Sequence, residues 1–86
     1  MSRRVFVASS AAKFVRRFPN KDAARIKCVL EKEFPHDPYT GDIKKLGGEE
    51  NVWRRRIGSY RVSFEICPAS HEVHVFDIDR RGSNTY

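Results

Sequence analysis

Arginine is the residue type in this chain whose spacing most clearly suggests chemistry. A guanidinium stays charged at neutral pH, and its planar fork can donate hydrogen bonds to two oxygens of one phosphate at once. Grouped arginines can therefore bind a phosphate and stabilise negative charge that develops on it during a reaction. The second half of the chain holds two such groups: Arg54, Arg55 and Arg56 with Arg61, and Arg80 with Arg81.

A β-hairpin is predicted to position the first group. The stretches VWRRRI (52–57) and YRVSFEI (60–66) are rich in β-branched and aromatic residues, which are typical of strands. Between them lies Gly58-Ser59, a two-residue connection with glycine first that suits a type II′ turn. The arginines therefore belong to two neighbouring antiparallel strands.

Alternation along these strands predicts which arginines lie together. Successive side chains of a strand point to opposite faces of the sheet. If Trp53 and Ile57 join the core, Arg54 and Arg56 fall on the other face with Arg61. Like charges grouped on one face repel each other, so a bound anion explains the grouping better than fold stability does.

Two interpretations of this face stay open on the residues alone. Arginine runs are often solvated strand faces, here paired with carboxylates such as Glu65, Asp77 and Asp79. The alternative is a phosphate-binding face. Arg55 falls on the core side of the same alternation, so it is expected to extend from the sheet edge until its charge reaches water.

The rest of the pattern predicts one small α+β domain over residues 1–86. Apolar residues at helical spacing indicate two helices, and Pro35 is expected to end the second. The turn-rich segment 35–51 is expected to be a loop. A helical hairpin then packs on one face of a twisted antiparallel sheet in the order β-α-α-β-β-β. The predicted strands span 3–8, 52–57, 60–66 and 72–79, and the predicted helices span 9–18 and 21–34.

Composition restricts the class of partner. The formal net charge is +6, which favours an anionic partner such as nucleic acid. Cys28 and Cys67 match no metal-ligand spacing and are too few for a disulfide scaffold. The start of the chain has no apolar stretch long enough for a signal peptide or a membrane span. We therefore expect a cytoplasmic protein without a membrane partner.

The order of motifs in the second half resembles a known family. GDIKKLGGEENVWRRRIGSYRVSFEI, followed by EVHVFDIDRRGSNTY, is similar to the RelE toxins of the RelE/ParE superfamily. That family typically shows a G-D-x-K-K-L-x-G segment, a W-R-x-R strand, a G-x-Y-R-V step and a last-strand arginine near a C-terminal tyrosine. The resemblance covers essentially the whole chain and implies the RelE-like fold.

The resemblance implies a specific function. Such a protein would be the toxin of a type II toxin–antitoxin system, held inactive by a cognate antitoxin. It would be a ribosome-dependent endoribonuclease that cuts mRNA in the decoding site of the 70S ribosome. The implied reaction is attack of a ribose 2′-hydroxyl on the adjacent phosphate, which needs neither a metal nor a cofactor.

The same resemblance implies catalytic roles for individual residues. Arg61 and Arg81 would clamp the scissile phosphate, and Arg54 and Arg56 would hold the RNA backbone. Tyr86 would stack on a base or assist proton transfer. Either residue of the 80–81 pair matches the last-strand arginine of the family. The implied catalytic set is Arg54, Arg56, Arg61, Arg80, Arg81 and Tyr86.

The general base is less clearly indicated. An arginine is a poor base because it stays protonated at neutral pH. Lys44 or Lys45 is the candidate base, since neighbouring cations make a lysine easier to deprotonate. Both lysines, together with Arg55, are also expected to bind RNA. Many relatives carry a histidine beside the last-strand arginine, where this chain has Arg80.

Two other functions fit the same fold. ParE proteins act as inhibitors of DNA gyrase and lack the arginine set of the nucleases, so the arginines of this chain favour RNA cleavage. A non-catalytic RNA-binding or ribosome-binding relative is the third possibility. Each differs from the nuclease in what it would do to mRNA.

Overall fold

The computed structural model describes residues 3–46 and 50–80. A strand and three helices come first, and four further strands follow. The strands are β1 (Arg4–Val7), β2 (Asp42–Lys45), β3 (Val52–Ile57), β4 (Tyr60–Cys67) and β5 (Glu72–Arg80). The helices are α1 (Ser9–Val15), α2 (Asn20–Cys28) and a short α3 (Phe34–His36). A π-helical turn (Val29–Glu33) joins α2 to α3, and a 3₁₀ turn (Pro68–Ser70) joins β4 to β5.

The sheet confirms the predicted α+β class and differs from the prediction in two respects. Its order is β1-β5-β4-β3-β2, with β1 parallel to β5 and every other pair antiparallel. The sheet is therefore mixed. The fifth strand, β2, lies in the segment predicted to be a loop. An edge strand can be held by backbone bonds to one neighbour, so it does not need the apolar alternation by which strands are recognised.

The helical segment is longer than its sequence indicated. It continues through Pro35, which lies inside α3 instead of ending the second helix. At the π-helical turn the N–H of Phe34 donates to the carbonyl of Val29, five residues earlier. This wider spacing is typical of a π-bulge and shifts the pattern of backbone bonds just before the proline. None of the helices in the described residues is long and apolar enough to cross a membrane.

The core lies between the helices and one face of the sheet. Phe34 of α3 and Phe64 of β4 are fully buried, with ring centroids 4.6 Å apart. Burying a side chain of this size stabilises the fold by about 1.5–3 kcal/mol. The other buried apolar residues are Ala11, Val15, Phe18, Ile26, Val29, Leu30, Ile57, Tyr60, Val62, Ile66, Val73, Val75 and Ile78. We call the sheet face turned away from the helices the open face.

A β-bulge in β5 sets the residues that reach the open face. Ser63 pairs with Asp77, whereas the next residue, Phe64, pairs with Val75, so Phe76 is an extra residue in β5. Val75 and Ile78 are both buried, although three positions separate them. Simple alternation along β5 is therefore broken at the bulge.

Candidate nucleic-acid interface

Three arginines lie together on the open face, as alternation predicted. In the β3–β4 ladder Arg54 pairs with Ser63 and Arg56 pairs with Arg61. Residues directly opposite each other in an antiparallel pair point to the same face. The buried neighbours on these strands, Ile57 and Val62, mark the other face as the core. We call Arg54, Arg56 and Arg61 the arginine cluster.

Arg61 is held in place by a carboxylate. Its Nε donates to Oδ1 of Asp79 at 2.9 Å, and the two residues are directly opposite in the β4–β5 ladder. Both side chains are partly exposed, at 30% for Arg61 and 41% for Asp79. A bond at Nε fixes the plane of the guanidinium and leaves its two terminal nitrogens for another ligand.

Unlike Arg61, the other two members of the cluster are not held by a carboxylate of the described residues. Within the described residues neither Arg54 nor Arg56 forms an ion pair. Lys44 lies opposite Arg54 in the β2–β3 ladder and adds a further cation, and Asp42 lies opposite Arg56. The open face also carries carboxylates, namely those of Asp42, Glu65, Asp77 and Asp79. Its feature that favours an anion is that Arg54 and Arg56 lie beside Arg61 without an ion pair among the described residues.

Arg55 lies on the helix side and not with the cluster. It is only 9% exposed, and its Nη2 donates to Oε1 of Glu33 at 2.7 Å. Gly41, with φ of +83°, lets the guanidinium pass close to the backbone, because a Cβ there would lie 2.6 Å from Arg55 Cζ. Arg55 therefore joins the helical segment to β3 instead of extending to water from the sheet edge, and its contacts give it a structural role.

The two lysines of β2 point to different faces. Lys44 pairs with Arg54 and lies on the open face, whereas Lys45 pairs with Trp53 on the helix side. Trp53 is partly buried and packs against the core. Of these two lysines, Lys44 is therefore the one that lies on the face where a ligand of the arginine cluster would bind.

The arginines of the last strand are divided by the same alternation. Arg80 pairs with Tyr60, and its Cζ lies 6.0 Å from the centre of the Tyr60 ring, which is on the helix side. Arg80 is thus separated from the arginine cluster by the sheet. Arg81 and Tyr86 lie outside the described residues, so their implied roles stay predictions.

The structure brings three carboxylates to this face, of which the sequence named Asp77 and Asp79 as possible partners of the arginines and gave no role to Asp42. Asp77 and Asp79 of β5 reach the open face after the bulge, and Asp42 reaches it from β2. Alternation could not place Asp77 and Asp79 on the open face, because the extra residue at the bulge breaks the apolar–polar phase of β5. It could not place Asp42 either, because β2 has no apolar alternation.

Tyr60 anchors the end of β4 that carries Arg61. Its hydroxyl donates to Oδ2 of Asp22 on α2 at 2.7 Å. That hydrogen bond, followed by desolvation and the nearby carboxylate charge, raises the pKa of Tyr60 above its ordinary value of 10.0. The neighbouring cation Arg80 acts in the opposite direction. The neutral phenol therefore ties the sheet to the helices at neutral pH.

Known proteins identify the family of this chain. No protein-family model matches it. Toxin RelE3 of Methanocaldococcus jannaschii is 30% identical over 66 residues, which is 73% of this chain and 75% of the relative.

Solved structures show the same fold. The RelBE2 toxin–antitoxin complex of Mycobacterium tuberculosis matches with a TM-score of 0.82 at 20% identity, covering 94% of this chain and 100% of that chain. The RelB–RelE complex of Methanococcus jannaschii matches with a TM-score of 0.74 at 25% identity, covering 91% and 92%. Isolated E. coli RelE matches with a TM-score of 0.78 at 16% identity, covering 96% and 88%. The identity to RelE3 over most of both proteins places this chain in the RelE family of toxins.

Proposed function

We propose that this protein is the toxin of a type II toxin–antitoxin system and acts as a ribosome-dependent mRNA endoribonuclease. The observation that carries the proposal is the arginine cluster. It combines one guanidinium held by Asp79 with two that have no ion-pair partner among the described residues. Such an arrangement fits a phosphate that passes through a more highly charged transition state.

The proposed reaction is an internal transfer at phosphorus. The ribose 2′-oxygen forms a bond to the adjacent phosphorus, and the bond from phosphorus to the 5′-oxygen of the next nucleotide breaks. A base takes the proton of the 2′-hydroxyl, and an acid supplies one to the leaving 5′-oxygen. The products are a cyclic phosphate end and a 5′-hydroxyl end. The step needs no metal, since guanidinium groups can neutralise the developing charge.

The geometry supports different tasks for the residues of the open face. The terminal nitrogens of Arg61 would contact the non-bridging oxygens of the scissile phosphate. Arg54 and Arg56 would neutralise neighbouring phosphates along the strand. Lys44 is the proposed base because it is the lysine of β2 that shares their face. Asp79 acts as a positioning residue through its bond to Arg61.

Two residues of the proposed site lie beyond the described part of the chain. We assign Arg81 to the scissile phosphate and Tyr86 to base stacking or proton transfer, as the family resemblance implies. Arg80 is left out of the phosphate clamp because it lies on the helix side with Tyr60.

Dependence on the ribosome is consistent with the shape of the site. The arginine cluster lies on an exposed sheet face, where a flexible single strand would keep many orientations. Fixing the attacking oxygen in line with the leaving oxygen supplies a large part of the rate in such a reaction. An mRNA already held in the decoding site of the 70S ribosome would meet the cluster in one orientation.

A cognate antitoxin is the proposed second partner. The solved complexes of related toxins with RelB antitoxins support this assignment. A groove of about 560 Å³ beside β1 is lined by apolar residues that include Val5, Val7 and Leu30, and by two cations, Arg16 and Lys27, and one carboxylate, Glu31. β1 pairs only with β5 among the described strands, so its outer edge can accept an added strand. We propose that an acidic, partly apolar antitoxin segment binds this groove.

One experiment tests the nuclease proposal against its alternatives. Purified protein is added to 70S ribosomes programmed with a defined mRNA, with and without a chelator, and the RNA ends are mapped. We expect cuts in the decoding site that persist with the chelator and slow by about 10²-fold or more in Arg61→Ala. Arg17→Ala is the matched control, because Arg17 is an exposed arginine that follows α1. Intact mRNA together with inhibition of DNA gyrase would instead establish the ParE-like function.

A further inference from the structure

The open face also carries an exposed aromatic pair away from the arginine cluster. The rings of Phe6 on β1 and His74 on β5 are stacked, with centroids 5.0 Å apart and planes inclined by 17°. Phe6 is 43% exposed. His74 alternates with Val73 and Val75, which are buried, so the pair lies on the open face. We call Phe6 and His74 the aromatic pair.

Charged neighbours fix the orientation of the aromatic pair. Nε2 of His74 lies 3.0 Å from Oε1 of Glu72, and Nη2 of Arg4 lies 3.5 Å from the other oxygen of that carboxylate. The guanidinium of Arg4 is also 5.9 Å from the centre of the Phe6 ring. Glu72 is thus engaged by two partners, and both rings of the aromatic pair are partly exposed.

Fold stability does not account for an exposed phenylalanine at this position. Phe6 lies on the face opposite to the core, and an exposed aromatic side chain on an edge strand favours association instead of folding. Proteins that bind single-stranded nucleic acid place such rings beside a basic surface, because each base can stack on an aromatic ring. The aromatic pair and the arginine cluster share one face of one sheet, with Glu65 and Asp77 on the same face between them.

The spacing fits one RNA strand that contacts both features. Phe6 lies opposite His74, which lies opposite Glu65, and Glu65 is four residues from Arg61 along β4. With strands about 4.8 Å apart and a rise of about 3.4 Å per residue, the backbones of Phe6 and Arg61 are about 17 Å apart. A stacked strand advances about 3.4 Å per nucleotide and an unstacked strand advances further, so the span corresponds to roughly three to five nucleotides.

We propose that the aromatic pair is a stacking site for one nucleobase of the single-stranded RNA whose scissile phosphate lies at the arginine cluster. This inference rests on the proposed RNA substrate and adds a contact remote from the cut. Stacking tolerates any base, so the pair contributes affinity and strand direction instead of a sequence preference. Arg4 adds a cation beside the stacked base, near the following phosphate.

The test pairs a change in the protein with a change in the RNA. An mRNA analogue with 2′-deoxyribose at the cut, and therefore not consumed, is bound in the 70S ribosome. A set of analogues carries one abasic nucleotide at successive positions, and the affinity of the toxin for each complex is measured. We compare the wild type, Phe6→Leu and Phe6→Tyr. Tyr39→Leu is the matched control, because Tyr39 is similarly exposed at 44% and packs edge-on against Trp53 on the helix side of the sheet.

Each result supports the inference or overturns it. We expect one abasic position, about three to five nucleotides from the cut, to weaken wild-type binding by about fivefold or more. In Phe6→Leu, we expect binding to intact RNA to weaken to a similar extent, and the same abasic position to have no further effect. Phe6→Tyr and Tyr39→Leu should behave as the wild type. Three outcomes would overturn the inference. The wild type could bind all analogues equally, it could show no measurable binding, or the effects of Phe6→Leu and of the abasic nucleotide on the affinity could be independent of each other.

The outcomes also separate this inference from the nuclease proposal. If all analogues bind equally while all-ribose mRNA is cut in an Arg61-dependent manner, the stacking site fails and the nuclease stands. If binding depends on Phe6 and the abasic position but all-ribose mRNA stays intact, the nuclease fails and the stacking site stands. If Phe6→Leu weakens only the complex with the antitoxin, the aromatic pair is a protein contact and the inference is wrong.

Discussion

The ion pair between Arg55 and Glu33 allows a quantitative test of how the helical segment holds β3. Arg55 is 9% exposed, and its Nε and Nη1 have no hydrogen-bond partner among the described residues. Replacing Glu33 with alanine would leave the whole guanidinium buried without a partner. Replacing Arg55 with methionine removes the charge and keeps an apolar stem of similar length. The double variant removes both charges, so the four proteins form a thermodynamic cycle.

The size of the effect follows from the exposure of the two side chains. Removing one partner of a fully buried pair costs about 3–5 kcal/mol, whereas an exposed pair contributes about 0–1 kcal/mol. The Arg55 side chain is 11% exposed and the Glu33 side chain is 43% exposed, so the pair is intermediate. We expect Glu33→Ala to lower the free energy of unfolding by about 2 kcal/mol, or the melting temperature by about 8–16 °C. Arg55→Met should cost less, since no charge is left buried.

Urea denaturation of the four proteins measures the coupling free energy between the two residues. We expect about 1–2 kcal/mol. The Arg4–Glu72 pair is the matched control, because its distance is 3.5 Å and the Arg4 side chain is 76% exposed. Its coupling should be indistinguishable from zero. A coupling for Arg55 and Glu33 as small as that of the control, or a Glu33→Ala variant as stable as the wild type, would refute the reasoning.

Three further predictions concern the site, the sheet anchor and the groove. Asp79→Ala should lower the kcat of mRNA cleavage by about 10- to 100-fold with little change in KM, because Arg61 loses its orientation but keeps its charge. Asp79→Asn should restore part of the rate. The Tyr60–Asp22 hydrogen bond should contribute its full stabilisation below the ordinary tyrosine pKa of 10.0, and this contribution should be lost as the pH rises through the raised pKa of Tyr60. Urea denaturation from pH 8 to 11 should therefore show a steeper loss of unfolding free energy in the wild type than in Tyr60→Phe. Val7→Glu, at the groove beside β1, should weaken antitoxin binding by about tenfold or more in titration calorimetry while mRNA cleavage is kept.

Each of these predictions has a contrary outcome. A rise in KM at constant kcat in Asp79→Ala would show that Asp79 affects substrate binding instead of the orientation of Arg61. Parallel stability curves for the wild type and Tyr60→Phe would contradict the role of the phenol as a donor to Asp22. Unchanged antitoxin affinity in Val7→Glu would place the antitoxin on another surface.

The sequence by itself determined which residues of the hairpin share a face. Alternation is a local property of extended backbone, and β3 and the first half of β4 keep it without interruption. Arg54, Arg56 and Arg61 could therefore be assigned to one face from residue order alone. The glycine at position 58, which has φ of +59° in the turn, made the connection recognisable as well.

Only the tertiary structure decided what surrounds these arginines. Asp79 reaches Arg61 because the extra residue in β5 shifts the register, and packing against neighbouring strands determines where such a bulge forms. Glu33 reaches Arg55 from 22 residues earlier in the chain, through the π-helical turn and the close approach at Gly41. Register, bulges and contacts between distant segments depend on how whole elements pack together, and no local pattern encodes them. The direction of β1 has the same origin, since a parallel pair is set by the path of the chain across the sheet.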